Sequence, residues 1–365
     1  MSLLAIPADE LFRAVDAVRS GPRLFVWRRA GQLWAIRVLT GGIALLAATL
    51  LVGRAGETLV RNTGAATAVT FALGTIAGPL GPTMTEHDSA AALAFGAFLL
   101  AWRRPSVVAM AGALAGTAVL FEYQAALVCL LLACYAATTR GPHGLLRFVA
   151  GTVPPAVGLA AYNTSAFGSP WHFSYNYVAN RYAALQQRGF FGIGKPTGRG
   201  FWFALLDHRG LIVLSPVALA ASAGLVLLYR RRFRREAVTC IAVVLAFVLL
   251  DASYFDPYGG ASPGPRFLVI ALPFLALGLP DAFRRWPAPT AALALASLAL
   301  ITWDTFTWQG IGTLHLEVVP ATIWSRLGAP REVGLALVAI TVVAAAAAAA
   351  TSLLNLPRSS SEERP

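Results

Sequence analysis

The chain is poor in charge, in lysine and in cysteine, and the scarcity of charge and of cysteine each excludes a class of protein. Only 13% of its 365 residues are charged and 57% are hydrophobic, whereas soluble domains have about 25% charged and about 45–50% apolar residues. Lys195 is the sole lysine. The three cysteines, Cys129, Cys134 and Cys240, lie in apolar stretches without metal-type spacing to histidines, which excludes a disulfide framework and a zinc motif. The composition indicates an integral membrane protein.

Apolar sequence is abundant instead, and it comes in blocks bounded by arginines. A helix needs about 20 apolar residues to cross a bilayer. We therefore predict an all-α, polytopic helical membrane protein with about 11 transmembrane spans, within a range of about 10–12. The predicted spans are approximately 34–53, 64–82, 88–102, 106–121, 124–138, 144–164, 210–229, 237–255, 266–282, 288–303 and 332–355.

The net charge of +12 does not indicate a nucleic-acid partner, because the arginines cluster beside apolar spans. Pairs such as Arg103-Arg104 and Arg284-Arg285 are typical of cytoplasmic loops. This bias places the tail 356–365 in the cytoplasm and the loops 165–209 and 304–330 outside. Membrane lipid is the expected surrounding of the domain 34–355.

The N-terminal segment 1–33 has the pattern of an amphipathic helix at the membrane surface or outside it. Eleven spans with a cytoplasmic C-terminus place residue 1 outside, although the segment carries five arginines. Either one span is miscounted, or a first helix preceded Met1. We favour the second explanation.

Two acidic positions stand out on the external side. Glu86, His87 and Asp88 form a short turn that can bind a divalent metal or supply a general base, although Asp88 can also simply cap the next helix. Glu122 lies at the outer end of a helical hairpin, where a carboxylate usually faces a cavity or a partner, unless it reaches headgroup water. Asp251 raises the same question inside its span.

The external segment that follows residue 161 is rich in aromatic and amide side chains. Asn163, Tyr175, Asn176 and Arg181 can stack on sugar rings and bond to hydroxyl or phosphate groups. The alternative is an aromatic belt at headgroup depth. We predict a substrate-binding role for the cluster as a whole.

Two of the external arginines lie at the ends of predicted spans. Arg209 follows His208 where the chain re-enters the membrane, and it either holds a phosphate or anchors the helix end. Arg266 ends a glycine- and proline-rich turn that begins at Tyr258. Bidentate recognition of a lipid-linked phosphate is a reason for an external arginine at this position.

The strings AYNTSAFGSPWHFSYNY, RGLIVLSPV and YGGASPGPRFLVIALPFLALGLP resemble bacterial GT-C-type membrane glycosyltransferases. More narrowly, they are similar to the protein mannosyltransferase-like group, which has actinobacterial members. The resemblance covers about residues 30–285. It implies an enzyme of the bacterial plasma membrane with an external active site. Such an enzyme transfers a hexosyl or pentosyl group, with inversion, from a polyprenyl-phosphate-linked sugar to a glycan, lipid or protein acceptor.

The resemblance also implies roles for individual residues. The family's catalytic aspartate lies in the first external loop, which here would precede Met1 or survive only as SLLAIPADELF; Asp9 and Glu10 come too late for that role. Glu86, His87 and Asp88 occupy the place of a second loop that often binds metal or acceptor. Arg266 resembles arginines that contact the donor phosphate.

These considerations give one set of candidate residues. We predict Glu86 and Asp88 as catalytic groups, and Glu86, His87 and Asp88 as ligands of a possible divalent metal ion. The predicted substrate-binding residues are Glu122, Asn163, Tyr175, Asn176, Arg181, His208, Arg209, Tyr258 and Arg266. Two alternatives stay open: a transporter or flippase for lipid-linked sugars, and a truncated, non-catalytic membrane protein.

Overall fold

The structure is a computed structural model that describes residues 36–81, 86–178, 182–260 and 262–307, with scattered helical residues between 339 and 353. These residues contain no β-strand, which confirms the all-α prediction; the nearest features are two isolated bridges, Phe190–Ile193 and Ile193–Tyr254. The segment 1–33 and most of the loop 304–330 lie outside the described residues.

Within the described residues, helices of eight or more residues follow one another along the chain. They are α1 (Ile43–Leu59), α2 (Gly64–Leu73), α3 (His87–Arg103), α4 (Val108–Phe121), α5 (Ala126–Phe167), α6 (Gly198–Leu205), α7 (Val217–Arg230), α8 (Arg234–Ser253) and α9 (Pro287–Thr307). A bent helix lies between α8 and α9. It consists of Arg266–Ala276, which begins as a 3-10 helix, and Leu279–Arg285, at 52° to it.

Several of these helices are long and apolar enough to cross a membrane. By length and composition they are Val38–Leu59, Tyr123–Phe167 and Arg234–Ser253, and the bent helix makes a fourth if it is one span. Shorter apolar helices are Gly64–Leu73, Val108–Phe121, Val217–Arg230 and Pro287–Thr302. Large apolar side chains such as Leu130 and Leu146 point outward, 63% and 67% exposed. Such a surface is suited to lipid.

Helix α5 is interrupted at Gly141, whose φ of 66° and ψ of −163° are not helical. The interruption falls between the predicted spans 124–138 and 144–164. The part after it packs directly on α4, because a Cβ on Gly151 would lie 1.9 Å from the carbonyl oxygen of Ala109. Small residues of this kind allow two helix backbones to come close together.

The hydrophobic core is centred on α3, which is buried along most of its length. Phe95 and Phe98 are fully buried and their rings meet that of Phe274, at centroid distances of 5.3 Å and 5.6 Å. Phe274 belongs to the bent helix. The core therefore holds α3 alongside the bent helix.

The two ends of the helices have different chemistry. At one end lie arginine contacts, including Arg103 with Thr58 and Arg231 with Asp281. At the other end, the start of α3, the end of α4 and the end of α8 come together. This second end carries the candidate site.

Candidate functional site

The centre of the site is an ion pair between His87 and Glu122, 35 residues apart in the chain. Helix α3 begins at His87 and α4 ends at Phe121, so the two side chains meet at one end of the helices. Nδ1 of His87 contacts Oε2 of Glu122, and the side chains are only 1% and 3% exposed. A carboxylate on Nδ1 orients the ring and leaves Nε2 free for another ligand. Nε2 is buried and has no hydrogen-bond partner.

Glu86 joins this pair to form a group that can hold a metal ion. One donor atom from each of Glu86, His87 and Glu122 lies within 4.8 Å of the other two. Two carboxylates and an imidazole are suitable ligands for a divalent transition metal. The predicted ligand Asp88 is not in this group. It is fully buried, and neither of its carboxylate oxygens has a hydrogen-bond partner among the described residues.

Asp251 and Arg266 lie next to the pair. Asp251 is near the end of α8, fully buried and without a hydrogen bond on either carboxylate oxygen, within electrostatic range of Glu122 and Arg266. Nε of Arg266 is also buried without a partner. The ring of Phe267 meets the ring of His87 edge-on at 5.9 Å. Buried polar atoms without partners usually mark a place where a ligand, ion or water binds.

Two tyrosine hydrogen bonds attach the segment between α5 and α6 to this end of the helices. The Tyr175 hydroxyl accepts from Nε2 of Gln124 at 3.0 Å, and the Tyr254 hydroxyl donates to Oε1 of Gln186 at 2.9 Å. The pKa of Tyr175 is raised by burial and by the charge of Glu122, although the Gln124 hydrogen bond opposes this. Tyr175 therefore stays a neutral hydroxyl that can donate a hydrogen bond.

A second polar cluster surrounds Arg209. Its guanidinium lies 4.2 Å from the centre of the Tyr258 ring, and its Nε and Nη2 are buried without partners. The Tyr258 hydroxyl donates to Asp207, which also contacts His208 at 2.8 Å. The Tyr258 hydrogen bond is the main reason why the pKa of Asp207 is lowered. Burial raises the pKa of Asp304, whose charge interacts with Arg209, to about 6.

The turn from Tyr258 to Arg266 connects the two clusters. Gly259 adopts a φ of 72°, and a Cβ there would lie 2.5 Å from Nε of Arg266. A Cβ on Gly264 would lie 3.2 Å from the carbonyl oxygen of Arg209. Gly259 thus leaves room for the side chain of Arg266, and Gly264 lies close to the backbone of Arg209.

The other predicted site residues do not join either cluster. Asn163 is buried and donates to the carbonyl of Pro170 at 3.2 Å. The side chain of Asn176 is exposed and accepts from the Phe173 backbone N–H at 3.0 Å. Both contacts are local to the chain around the end of α5. Arg181 lies outside the described residues.

Sequence reasoning missed several residues that complete these clusters. Gln124, Gln186 and Tyr254 attach the external segment, and Asp304 faces Arg209. Gln124 follows Glu122 by two positions and Tyr254 follows Asp251 by three. For Gln124 and Tyr254, the signal available in the sequence is their nearness to these two acids at the ends of helices.

Comparisons of the chain with protein-family models, with curated proteins and with solved structures find no match.

Proposed function

We propose that the protein is a membrane glycosyltransferase of the GT-C type that uses a polyprenyl-phosphate-linked sugar at the external face of the membrane. One observation carries this proposal. Arg266 has a buried Nε without a hydrogen-bond partner and lies beside buried acids. These residues are at the end of the helices opposite the arginines that bind Asp281. An arginine poised without a partner is suited to a phosphate group, and neighbouring carboxylates are suited to proton transfer.

The proposed reaction is an inverting displacement at the anomeric carbon. The acceptor hydroxyl forms a bond to that carbon while the bond to the phosphate oxygen breaks, and polyprenyl phosphate leaves. The hydroxyl proton passes to a carboxylate, for which Glu86 and Asp88 are the candidates. Arg266 stabilises the charge that develops on the leaving phosphate.

The group Glu86, His87 and Glu122 fits a divalent metal ion. When bound, such an ion supplies Lewis-acid stabilisation of phosphate oxygens. The residues themselves have further tasks: Glu122 orients the His87 ring, and Tyr175 holds its hydroxyl near the acids. Arg209 and Tyr258 then extend the site along the donor lipid or the acceptor.

The proposal includes about 11 spans with the C-terminus in the cytoplasm. The interruption at Gly141 supports two spans in α5, since 42 residues of straight helix would measure about 63 Å, twice the apolar thickness of a bilayer. The helices shorter than 18 residues would then be short or tilted spans.

A transporter or flippase is less well supported. Transporters place their sites at unwound helix segments near the middle of the membrane. The break in the bent helix is filled by protein instead, because a Cβ on Gly224 of α7 would lie 1.9 Å from the carbonyl oxygen of Gly278. The buried acids of the candidate site, Asp88, Glu122 and Asp251, lie at the other end of the molecule.

The test replaces Arg266 in the full chain, purified in lipid nanodiscs and supplied with polyprenyl-phosphate sugars. Losing a bidentate phosphate contact in the transition state lowers the transfer rate by about 10²–10³-fold, so we expect Arg266→Ala to be nearly inactive but normally inserted. Arg188→Ala, which removes an exposed external arginine, is the matched control. Full activity of Arg266→Ala would refute the assignment.

A further inference from the structure

The end of the molecule opposite the site gathers arginines from two separate parts of the chain. Asp281, which is fully buried, accepts from Nη1 of Arg231 at 2.9 Å and 3.1 Å and from Nη2 of Arg284 at 3.0 Å. Arg231 lies between α7 and α8, and Arg284 lies at the end of the bent helix. Asp281 therefore brings two arginine-rich segments, 230–235 and 284–285, side by side.

Asp281 compensates only the arginines that it binds. Five further arginines are exposed around it and form no ion pair within the described residues; we call them the arginine patch: Arg230, Arg232, Arg234, Arg235 and Arg285. The nearby acid Glu236 accepts a hydrogen bond from the hydroxyl of Tyr135 at 2.7 Å. Even with the charge of Glu236 counted, the five arginines make the patch a strongly positive surface.

Aromatic rings and apolar helix surfaces border the patch. The guanidiniums of Arg232 and Arg285 lie 5.2 Å and 5.7 Å from the rings of Phe233 and Trp286. Just beyond the patch, α7 and α8 present outward apolar side chains, including Val226 at 47% exposed. Aromatic residues prefer the depth of lipid headgroups. The patch therefore lies where a charged headgroup meets an acyl chain.

We propose that the arginine patch binds an anionic phospholipid of the cytoplasmic leaflet. Its guanidiniums hold the phosphate through charge-assisted hydrogen bonds, and the apolar surface of α7 and α8 receives the acyl chains. Basic surfaces at the cytoplasmic ends of transmembrane helices are suited to such lipids. The adjoining apolar surface favours a phospholipid over free phosphate or nucleic acid, neither of which has an acyl chain. This site is independent of the proposed sugar transfer.

The test titrates the purified full chain with phosphatidylglycerol or phosphatidylcholine in detergent micelles and measures binding by native mass spectrometry. The variant Arg232→Gln/Arg235→Gln/Arg285→Gln leaves Asp281 and both of its partners intact. The control Arg188→Gln/Lys195→Gln/Arg199→Gln removes the same charge from exposed residues at the other end. We expect the patch variant to bind phosphatidylglycerol on the order of 100-fold more weakly, and the control to bind it like the unmodified chain.

A second variant separates charge loss from damage to the fold. Replacing the same three arginines with lysine keeps the charge, so we expect it to bind within about tenfold of the unmodified chain. Three outcomes would overturn the proposal: equal loss in patch and control variants, equal binding of phosphatidylcholine, or displacement of the lipid by millimolar inorganic phosphate or a short RNA.

Discussion

Asp88, Asp251, Arg209 and Arg266 all carry buried polar atoms that no described residue satisfies. Burying such a group without a partner costs about 1–3 kcal/mol, and more when it is charged. Sequences keep such groups when a bound ligand completes them. At the scale of single residues, these four side chains are therefore suited to binding a charged ligand.

Gly259 controls the position of Arg266. We predict that Gly259→Ala lowers transfer activity at least tenfold more than Gly260→Ala does. Both residues have positive φ values, 72° and 108°, so both variants strain the backbone by about 1–3 kcal/mol. Only at position 259 would the new methyl group lie 2.5 Å from Arg266; at position 260 nothing lies within 4 Å.

The measurement compares initial rates of polyprenyl phosphate release for the two glycine variants, at equal amounts of folded protein. Equal rates would show that the turn tolerates a methyl group beside the guanidinium. Arg266 would then not depend on Gly259 for its position.

Asp304, near Arg209, gives the stability of the fold a pH dependence. Burial raises its pKa to about 6, above the usual value of about 3.9. Between about pH 4 and pH 6, Asp304 keeps its proton in the folded chain but loses it in the unfolded chain. Its contribution to the free energy of unfolding is therefore largest at low pH. This contribution is lost as the pH rises through about 6. We predict that the stability of Asp304→Asn, relative to that of the unmodified chain at the same pH, increases from pH 4.5 to pH 7.

Thermal unfolding in detergent at several pH values measures this difference. Asp207→Asn serves as the control, because the pKa of Asp207 is lowered and this group stays ionised throughout that window. A difference for Asp304→Asn that does not change with pH would contradict the prediction.

At the scale of helices, hydropathy and loop residues locate most elements well. The predicted span 88–102 corresponds to His87–Arg103, and 237–255 to Arg234–Ser253. The predicted span 266–282 is less regular, because it begins as a 3-10 helix and bends between Ala276 and Leu279. Its close contact with Gly224 arises from tertiary packing, which hydropathy does not report.

The contact between α4 and the second part of α5 depends on glycine. We predict that Gly151→Val destabilises the chain by about 1–3 kcal/mol, since a side chain there meets the carbonyl oxygen of Ala109 at 1.9 Å. Gly158→Val on the same helix has nothing within 4 Å and should leave stability nearly unchanged. Thermal unfolding of both variants in the same detergent provides the comparison, and equal stability would mean that the helices do not pack here.

At the scale of the whole molecule, sequence alone predicts which end of the helices carries part of the candidate site. Composition and arginine bias assign Glu86, Glu122 and Arg266 to one end, because each follows or precedes a span on that side. Sequence does not reveal that His87 pairs with Glu122, 35 residues away, or that the oxygens of Asp88 face no partner. Those facts depend on how α3 rotates against α4 and the bent helix, which is determined by side-chain packing.

The asymmetry between the two ends is the main property of the molecule. One end has arginines held by Asp281, and the other has buried acids, His87 and two arginines with free donors. We infer that the first contacts the cytoplasmic leaflet and the second performs chemistry outside.

The most direct test of this account uses the full chain in sealed vesicles with polyprenyl-phosphate sugars in one leaflet at a time. The measured quantity is polyprenyl phosphate released. We predict that at least one hexosyl or pentosyl donor is consumed only from the leaflet at the His87–Glu122 end, and that Arg266→Ala abolishes this release. Consumption from the leaflet at the arginine-patch end, or no release from any donor in the panel, would contradict the account.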